Sequence, residues 1–270
     1  MADLYTVTDL HLSLPDMVHK PLLGSAPRID ILHGLNFTIA SGEVLGIVGG
    51  SGSGKSTLGR VLVRLLEPTR GQVLFDGQDI THLDEAALRP LRRRFQMIFQ
   101  DPMSSLNPRR TVAAIIAAPL KLQGFDDTSR RVDRALDHVG LPRAFRGRYP
   151  HELSGGQRQR VGIARAIAME PEFILADEIV SGLDVSSQAQ VLKLLDDLVR
   201  ELGLTLAFIS HDLSVIRRLC SQVMVLHQGR IVEHRPTQAL FDAPQAAYTR
   251  ELLDSIPLPD PDQPWAMLET

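Results

Sequence analysis

The chain has 270 residues, 44% of them hydrophobic and 23% charged, and its formal net charge at pH 7 is −3. That length suits one large domain or two small ones, and the mild charge does not favour a nucleic-acid binder. Cys220 is the single cysteine, which excludes an internal disulfide and a cysteine-rich metal or iron–sulfur site and fits a reducing compartment.

The sequence predicts neither a secretory signal nor a membrane span. Its first residues lack a basic stretch followed by an apolar core. The longest apolar stretch, residues 112–120, contains Pro119 and falls well short of the ~20 residues that a spanning helix needs. If the protein serves a membrane, we therefore expect a peripheral subunit.

The first third of the chain is predicted to be rich in β-structure. Residues 5–14 and 31–40 alternate apolar and polar side chains, as half-buried strands do. In the second stretch, Leu35, Phe37 and Ile39 would share one face. Further short strands are predicted over 73–75, before the tight turn at Asp76-Gly77, and over 96–99.

A glycine-rich loop lies between an apolar run over 44–48, which predicts a buried strand, and a helix-like segment over 58–66. The loop fits the pattern of a phosphate-binding loop, G-x-x-x-x-G-K-[ST], in the strand–loop–helix context that this motif needs. Its N–H groups and the helix N-terminus would face an anion. Lys55 would reach the β- and γ-phosphates and the Ser56 hydroxyl would ligate Mg²⁺. A flexible Gly/Ser-rich linker is the alternative, but the flanks are apolar and periodic. The predicted nucleotide-binding residues are Gly49, Gly50, Ser51, Gly52, Ser53, Gly54, Lys55, Ser56 and Thr57.

Helical periodicity over 111–123, 129–139 and 154–168 predicts a helical insertion. The last of these helices begins after Ser154, with Gly155, Gly156 and then Gln157, which predicts a capping box. Paired glycines cost helix propensity, so a simple cap does not explain them. They leave backbone N–H groups unobstructed at the helix N-terminus and indicate a second anion-binding site.

Short apolar strands at 173–176, 205–210 and 222–226 alternate with helices at 186–202 and 213–220, which predicts a parallel α/β core. Ligands bind outside the carboxyl ends of strands in open α/β sheets. Asp177, at such an end, would hold Mg²⁺ directly or through water, and Glu178 would orient or deprotonate an attacking water. The alternative is an exposed acidic pair that caps the next helix. The tail over 257–270 contains Pro257, Pro259, Pro261 and Pro264 and is predicted to be extended and poorly ordered.

Together these motifs, in this order, resemble the ATP-binding subunit of an ABC transporter over residues 4–256. The resemblance implies a P-loop NTPase core of α/β class, with an N-terminal antiparallel β subdomain and an inserted helical subdomain at about 101–168. It also implies that Gln100 senses Mg²⁺ and the γ-phosphate and that His211 contacts the γ-phosphate. The segment from Leu153 to Gln157 corresponds to the family signature. Asp184, in Ser181-Gly182-Leu183-Asp184, would lie between the two sites of a dimer.

A narrower resemblance, to the oligopeptide, dipeptide and nickel importer branch, is carried by residues 95–109 and 148–152 and by an extension at about 236–256. The branch usually has His-Pro before the tyrosine at position 248, where this chain has Ala246-Ala247. Leu14 occupies the position at which the family usually stacks an aromatic ring on adenine, so Tyr5, another residue or an apolar contact would have to take that role. Ile179-Val180 replaces the usual Pro-Thr after Glu178, and we expect activity to survive.

The resemblance implies that two ATPase subunits pair head-to-tail and bury two ATP molecules with Mg²⁺. Ser154, Gly155, Gly156, Gln157 and Asp184 would then contact nucleotide on the partner subunit. The implied partners are a second ATPase chain, transmembrane permease subunits and, indirectly, an extracytoplasmic solute-binding protein, at the cytoplasmic face of the inner membrane. The implied function is ATP hydrolysis that drives the import of peptides or a related small solute.

Two other classes stay open on the residues alone. A soluble ATPase of the same superfamily would act on DNA or ribosomes. The zinc cysteines, long coiled coil or second ATPase domain of such relatives are absent from this sequence. A regulatory module would hold ATP without turnover, and Glu178 and His211 argue against it.

Overall fold

The computed structural model describes residues 2–16, 18–19 and 24–255. The interpretation of residues 257–270 as a poorly ordered tail therefore lies outside the described residues. Within them, the strands are β1 (Asp3–Pro15), β2 (Arg28–Ala40), β3 (Val44–Val48), β4 (Arg70–Phe75), β5 (Gln78–Asp79), β6 (Phe95–Ile98), β7 (Phe173–Asp177), β8 (Thr205–Ile209), β9 (Gln222–His227) and β10 (Arg230–Pro236).

The helices follow the predicted pattern over most of the chain. They are α1 (Lys55–Leu62), α2 (Glu85–Leu88), α3 (Pro102–Ser105), α4 (Val112–Leu122), α5 (Thr128–His138), α6 (Gly155–Ile167), α7 (Val185–Leu202), α8 (Leu213–Leu219), α9 (Thr237–Asp242) and α10 (Ala247–Asp254). Two short 3-10 helices, Arg143–Gly147 and Pro150–Glu152, separate α5 from α6.

The strands form two sheets, which confirms the predicted fold class. One sheet has the order β2-β1-β4-β5 and is antiparallel. The other has the order β10-β9-β3-β8-β7-β6, in which β10 pairs antiparallel and the remaining pairs are parallel. Because crossover helices cover both faces of a parallel sheet, its strands are expected to be apolar throughout. β7 and β8 are indeed buried along their whole lengths.

Side chains of the parallel sheet point alternately into two hydrophobic clusters. On β7, Phe173 and Leu175 belong to a cluster with α1 and the antiparallel sheet, whereas Ile174 and Ala176 pack with α4 to α8. The predicted face of β2 is correct, because Leu35, Phe37 and Ile39 are all buried. This two-sided packing fixes the strand ends from which the candidate site is built.

Candidate functional site

The carboxyl ends of four neighbouring parallel strands carry the predicted site residues. In the order β3-β8-β7-β6, the glycine-rich loop follows β3, His211 follows β8, Asp177 ends β7, and Gln100 follows β6. Because parallel strands run in one direction, these ends meet at one edge of the sheet, where α/β proteins bind ligands. The fold therefore brings residues from positions 49 to 211 to a single edge.

Glycine is required at two places in the loop between β3 and α1. At Gly49 (φ 148°), an added Cβ would lie 2.1 Å from the carbonyl oxygen of Leu226. Gly54 is the N-cap of α1 and has φ 102°, a left-handed conformation that L side chains rarely adopt. The loop thus has the tight path that was predicted from the motif, and it leads into the N-terminus of α1, where Gly54 and Lys55 are buried.

Lys55 is buried against the loop that it follows. Its Nζ donates hydrogen bonds of 2.8 Å to the carbonyl oxygens of Gly49 and Gly50. Burial lowers the pKa of the Lys55 ammonium, and the charges of Glu178 and Asp177 act in the opposite direction. A polyphosphate in the loop would stabilise this ammonium by direct charge pairing.

The loop also contains a polar atom without a partner. The Ser53 hydroxyl is buried and has no hydrogen-bond partner among the described residues. Buried polar groups in folded proteins are usually paired, so an unpaired one needs a reason. An oxyanion in the loop would supply the missing partner.

Ser56 and Asp177 are in direct contact although 121 positions separate them. The Ser56 Oγ donates to the Asp177 Oδ1 at 2.9 Å. Burial raises the pKa of the Asp177 carboxyl, although the hydrogen bond from Ser56 lowers it. Oxygen ligands suit Mg²⁺, and a desolvated carboxylate would be stabilised by a cation. The hydroxyl and carboxylate therefore fit the metal position predicted for them.

Glu178 lies between Gln100 and His211. The Gln100 Nε2 donates to the Glu178 Oε2 at 3.0 Å, and the His211 Nδ1 lies 3.7 Å from the Glu178 Oε1. Glu178 itself has φ 48°, an uncommon conformation for a residue other than glycine. Its N–H donates to the carbonyl oxygen of Ile209 at 2.9 Å, which ties this conformation to β8. Such backbone strain is frequent at functional sites.

The residues that replace Pro-Thr after Glu178 belong to the core. Ile179 and Val180 are both buried and pack in the cluster with α4 to α8. Their apolar, β-branched side chains hold the segment that follows Glu178 without occupying the polar edge of the sheet.

The predicted capping box is present at the start of α6. The Ser154 Oγ accepts from the Gln157 N–H at 3.3 Å, and the Gln157 Oε1 accepts from the Ser154 N–H at 3.0 Å. An added Cβ on Gly155 would lie 3.5 Å from the Leu183 side chain, so this end of α6 lies beside the segment before α7. There Asp184 caps α7.

Asp184 has a local structural role. Its side chain accepts from the Ser186 hydroxyl and from the N–H and hydroxyl of Ser187. These hydrogen bonds hold the pKa of the Asp184 carboxyl well below its usual range. The signature and Asp184 are thus neighbours within one chain, and each also serves as a helix cap.

Tyr5 cannot contact an adenine base, so the alternative raised from the sequence is wrong. Its ring is fully buried and packs on Phe75 and Phe173 at centroid distances of 5.0 and 4.7 Å. Its hydroxyl donates to the carbonyl oxygen of Leu62 at 3.0 Å. Leu14, by contrast, is only partly buried and pairs with Ile29, which is 47% exposed, across β1 and β2. An aliphatic pair therefore stands at the position where an aromatic residue is usual.

Two further properties concern the part of the chain that the structure describes. No group of three or more His, Cys, Asp or Glu side chains there is arranged to hold a metal ion. None of its helices combines the length and apolarity needed to cross a membrane.

Sequence reasoning assigned no role to Tyr248, which contacts the glycine-rich loop. Its hydroxyl accepts a hydrogen bond from the Gly50 N–H at 2.8 Å. The two residues are 198 positions apart, so no local pattern could have indicated this contact.

Comparisons with known proteins agree with this geometry. A sequence model of the ABC transporter family matches residues 32–181. A Brucella ovis ATP-binding protein named for peptide import is 54% identical over 237 residues, which cover 87% of this chain and 75% of that protein. The oligopeptide transport ATP-binding protein AppF of Bacillus subtilis is 50% identical over 240 residues, 87% of this chain and 72% of AppF.

A solved structure is similar as well. It is a dimeric ATP-binding cassette in a post-hydrolysis state, bound to ADP and phosphate. The two chains are 29% identical with a TM-score of 0.74, and the match covers 86% of this chain and 98% of the other.

Proposed function

This chain belongs to the ABC transporter family and is an ATPase of that family, and from this premise we propose that it powers the import of peptides or of a related small solute. The observation that carries the proposal is the convergence of Lys55, Ser56, Asp177 and Glu178 at one edge of the parallel sheet. The peptide class of cargo rests on the printed names of the similar Brucella ovis and Bacillus subtilis proteins.

The loop over 49–57 would bind the ATP phosphates. Lys55 would exchange its two carbonyl contacts for the β- and γ-phosphates, and the Ser53 hydroxyl would gain the partner that it lacks. The N-terminus of α1 would add the positive end of its dipole. Binding would then be driven by charge pairing between the phosphates and Lys55 and by the dipole of α1.

Ser56 and Asp177 would hold Mg²⁺, with the Gln100 side chain as a further ligand. The bound cation would supply charge neutralisation at the β- and γ-phosphates. Because Gln100 also donates to Glu178, its amide would link the metal position to the residue that acts on water.

Glu178 would accept a proton from the water that attacks the γ-phosphate. The hydrogen bond from Gln100 orients its carboxylate, and His211, with its side chain 67% exposed, would contact the γ-phosphate from the other side. A general base of this kind contributes typically ~10²–10⁴-fold to the rate.

Two copies of the ATPase chain, or this chain and a homologue, would pair head-to-tail. Ser154, Gly155, Gly156 and Gln157 would then present the N-terminus of α6 to nucleotide bound by the partner, with Asp184 alongside. ATP would link both subunits, and ADP would lack the γ-phosphate that makes the link, so hydrolysis would reopen the pair.

The motion would reach permease subunits through an apolar groove next to Gln100. Leu65 and Phe99, which are 51% and 41% exposed, line this groove together with Pro119 of α4 and Arg165 of α6. Exposed apolar surface of this kind marks sites of protein interaction. We place the assembly at the cytoplasmic face of the membrane, where an external binding protein would deliver the solute to the permease.

The test is ATP binding and hydrolysis by the purified chain with Mg²⁺. Wild type should hydrolyse ATP, whereas Glu178→Gln should keep ATP affinity and lose about 10²–10⁴-fold in turnover. Lys55→Ala should instead weaken binding, because it removes a charge-assisted phosphate contact. Unchanged turnover in Glu178→Gln would remove Glu178 from the mechanism, and wild-type affinity in Lys55→Ala would contradict the phosphate site.

A further inference from the structure

Helix α10, the last helix among the described residues, contacts the phosphate-binding loop directly. The Tyr248 hydroxyl lies 2.8 Å from the Gly50 nitrogen and accepts its hydrogen bond. An added Cβ on Gly50 would lie 3.0 Å from the same hydroxyl, closer than an ordinary contact. A side chain at position 50 would therefore require the Tyr248 hydroxyl to shift by a few tenths of an ångström.

The Tyr248 ring is held by the same strand end that supports the loop. It packs on the ring of His227, the last residue of β9, with centroids 3.9 Å apart and planes tilted by 38°. The preceding residue, Leu226, is the one whose carbonyl oxygen fits against Gly49. The end of β9 thus positions both the first residue of the loop and the tyrosine that contacts the second.

The segment that leads into α10 is fixed to the edge strand β10. The buried Glu233 carboxylate accepts hydrogen bonds of 3.0 Å from the backbone N–H groups of Gln245 and Ala246. The Arg235 guanidinium donates to the carbonyl oxygen of Ala243 at 2.8 Å. These contacts hold the residues just before α10 against β10 and so fix where Tyr248, the second residue of α10, lies.

We propose that Tyr248 is a positioning residue for nucleotide binding, which holds the phosphate-binding loop through Gly50 and couples the docking of α10 to the occupancy of the loop. The inference rests on the proposed function of that loop. A glycine-rich loop loses much conformational freedom when it orders around a ligand, and a contact that orders it beforehand reduces this loss. Because coupling between two sites is reciprocal, bound ATP should in turn stabilise the docked helix.

The first test is the affinity of the full-length chain for ATP, measured by titration calorimetry for wild type and Tyr248→Phe. A single hydrogen bond contributes ~0.5–1.5 kcal/mol, so the variant should bind about 2- to 12-fold more weakly. Tyr149→Phe is the matched control, since Tyr149 packs on His151 in the helical segment and should leave the affinity unchanged. Equal affinities of wild type and Tyr248→Phe would overturn the inference.

The second test separates positioning from a merely structural role. Hydrogen exchange in residues 247–254 should slow when ATP binds to wild type, and this ATP-dependent protection should be lost or reduced in Tyr248→Phe. A residue that only stabilises the fold would change exchange equally with and without ATP, which would contradict the proposal.

A double-mutant cycle tests the contact itself. Gly50→Ala should weaken ATP binding in wild type because its Cβ displaces the Tyr248 hydroxyl, and it should cost less in the Tyr248→Phe background, where that oxygen is absent. Additive effects would contradict a direct coupling. Failure of wild type to bind ATP would instead contradict the proposed function, so the two failures are distinguishable.

Discussion

Gly155→Asp should abolish ATP-dependent pairing of the subunits without disturbing the fold. Gly155 is the first residue of α6, and a Cβ there would meet only Leu183, at the ordinary contact distance of 3.5 Å. A carboxylate in the first turn stabilises a helix by ~0.3–1 kcal/mol, because it interacts favourably with the positive end of the helix dipole. The isolated subunit should therefore fold and bind ATP as wild type does.

The introduced carboxylate should repel the γ-phosphate when ATP bound to a partner approaches the signature. Two unit charges about 5 Å apart repel by roughly 3 kcal/mol at an effective dielectric constant of ~20. That repulsion would lower the association constant of the two subunits more than a hundredfold. Gly155→Asn has nearly the same shape without the charge and should lose far less.

The assay is sedimentation of each variant with and without ATP, in a Glu178→Gln background that prevents turnover. The ATP affinity of each variant is measured separately, at protein concentrations too low for the subunits to pair. Equal association of Gly155→Asp and Gly155→Asn would refute the electrostatic argument. A parallel collapse of ATP affinity in the isolated Gly155→Asp subunit would place the signature at its own nucleotide and refute the head-to-tail arrangement.

Two further predictions concern the recognition of the adenine base and the proposed Mg²⁺ position at Asp177. With Leu14 in place of an aromatic residue, adenine loses stacking that is worth ~1–3 kcal/mol in nucleic-acid sites, so ATP and GTP should support comparable hydrolysis and Leu14→Phe should tighten binding of both. A strong preference of wild type for ATP in a phosphate-release assay would disprove this. Because burial raises the pKa of Asp177, its ionisation opposes folding above that pKa, and the opposition disappears as pH falls. Asp177→Asn, which keeps an acceptor for Ser56, should therefore raise the melting temperature of the nucleotide-free protein at pH 7 while Mg²⁺-dependent hydrolysis is lost. A lower melting temperature of Asp177→Asn would contradict burial as the cause of the raised Asp177 pKa.

Most elements around the site follow from local patterns in the sequence. The strand before Gly49, the helix after it and the capping box at Ser154 each depend on residues within about ten positions of one another. The alternation of apolar and polar residues in β1 predicts its buried side chains less well. Asp9 has φ 46° and a β-bulge lies there, so the buried side chains shift from Tyr5 and Val7 to Leu10 and Leu12.

What could not be predicted depends on contacts between distant parts of the chain. The burial of Tyr5 among Phe75 and Phe173 requires the two sheets to pack together, which periodicity in β1 does not encode. The helices α9 and α10 are short, and the segment that leads into α10 is fixed by hydrogen bonds to Glu233 of β10 rather than by a side-chain cap. The position of Tyr248 at the loop follows from those distant contacts.

We propose that ATP hydrolysis at Glu178 drives import. It is tested most directly by purifying the chain with its co-expressed partners, identifying the solute that the binding protein carries, and measuring uptake of that solute into vesicles loaded with MgATP. Uptake should require ATP in the wild-type complex and be abolished by Glu178→Gln, although the variant still binds ATP. Equal uptake by the two complexes, or uptake without ATP, would contradict the account.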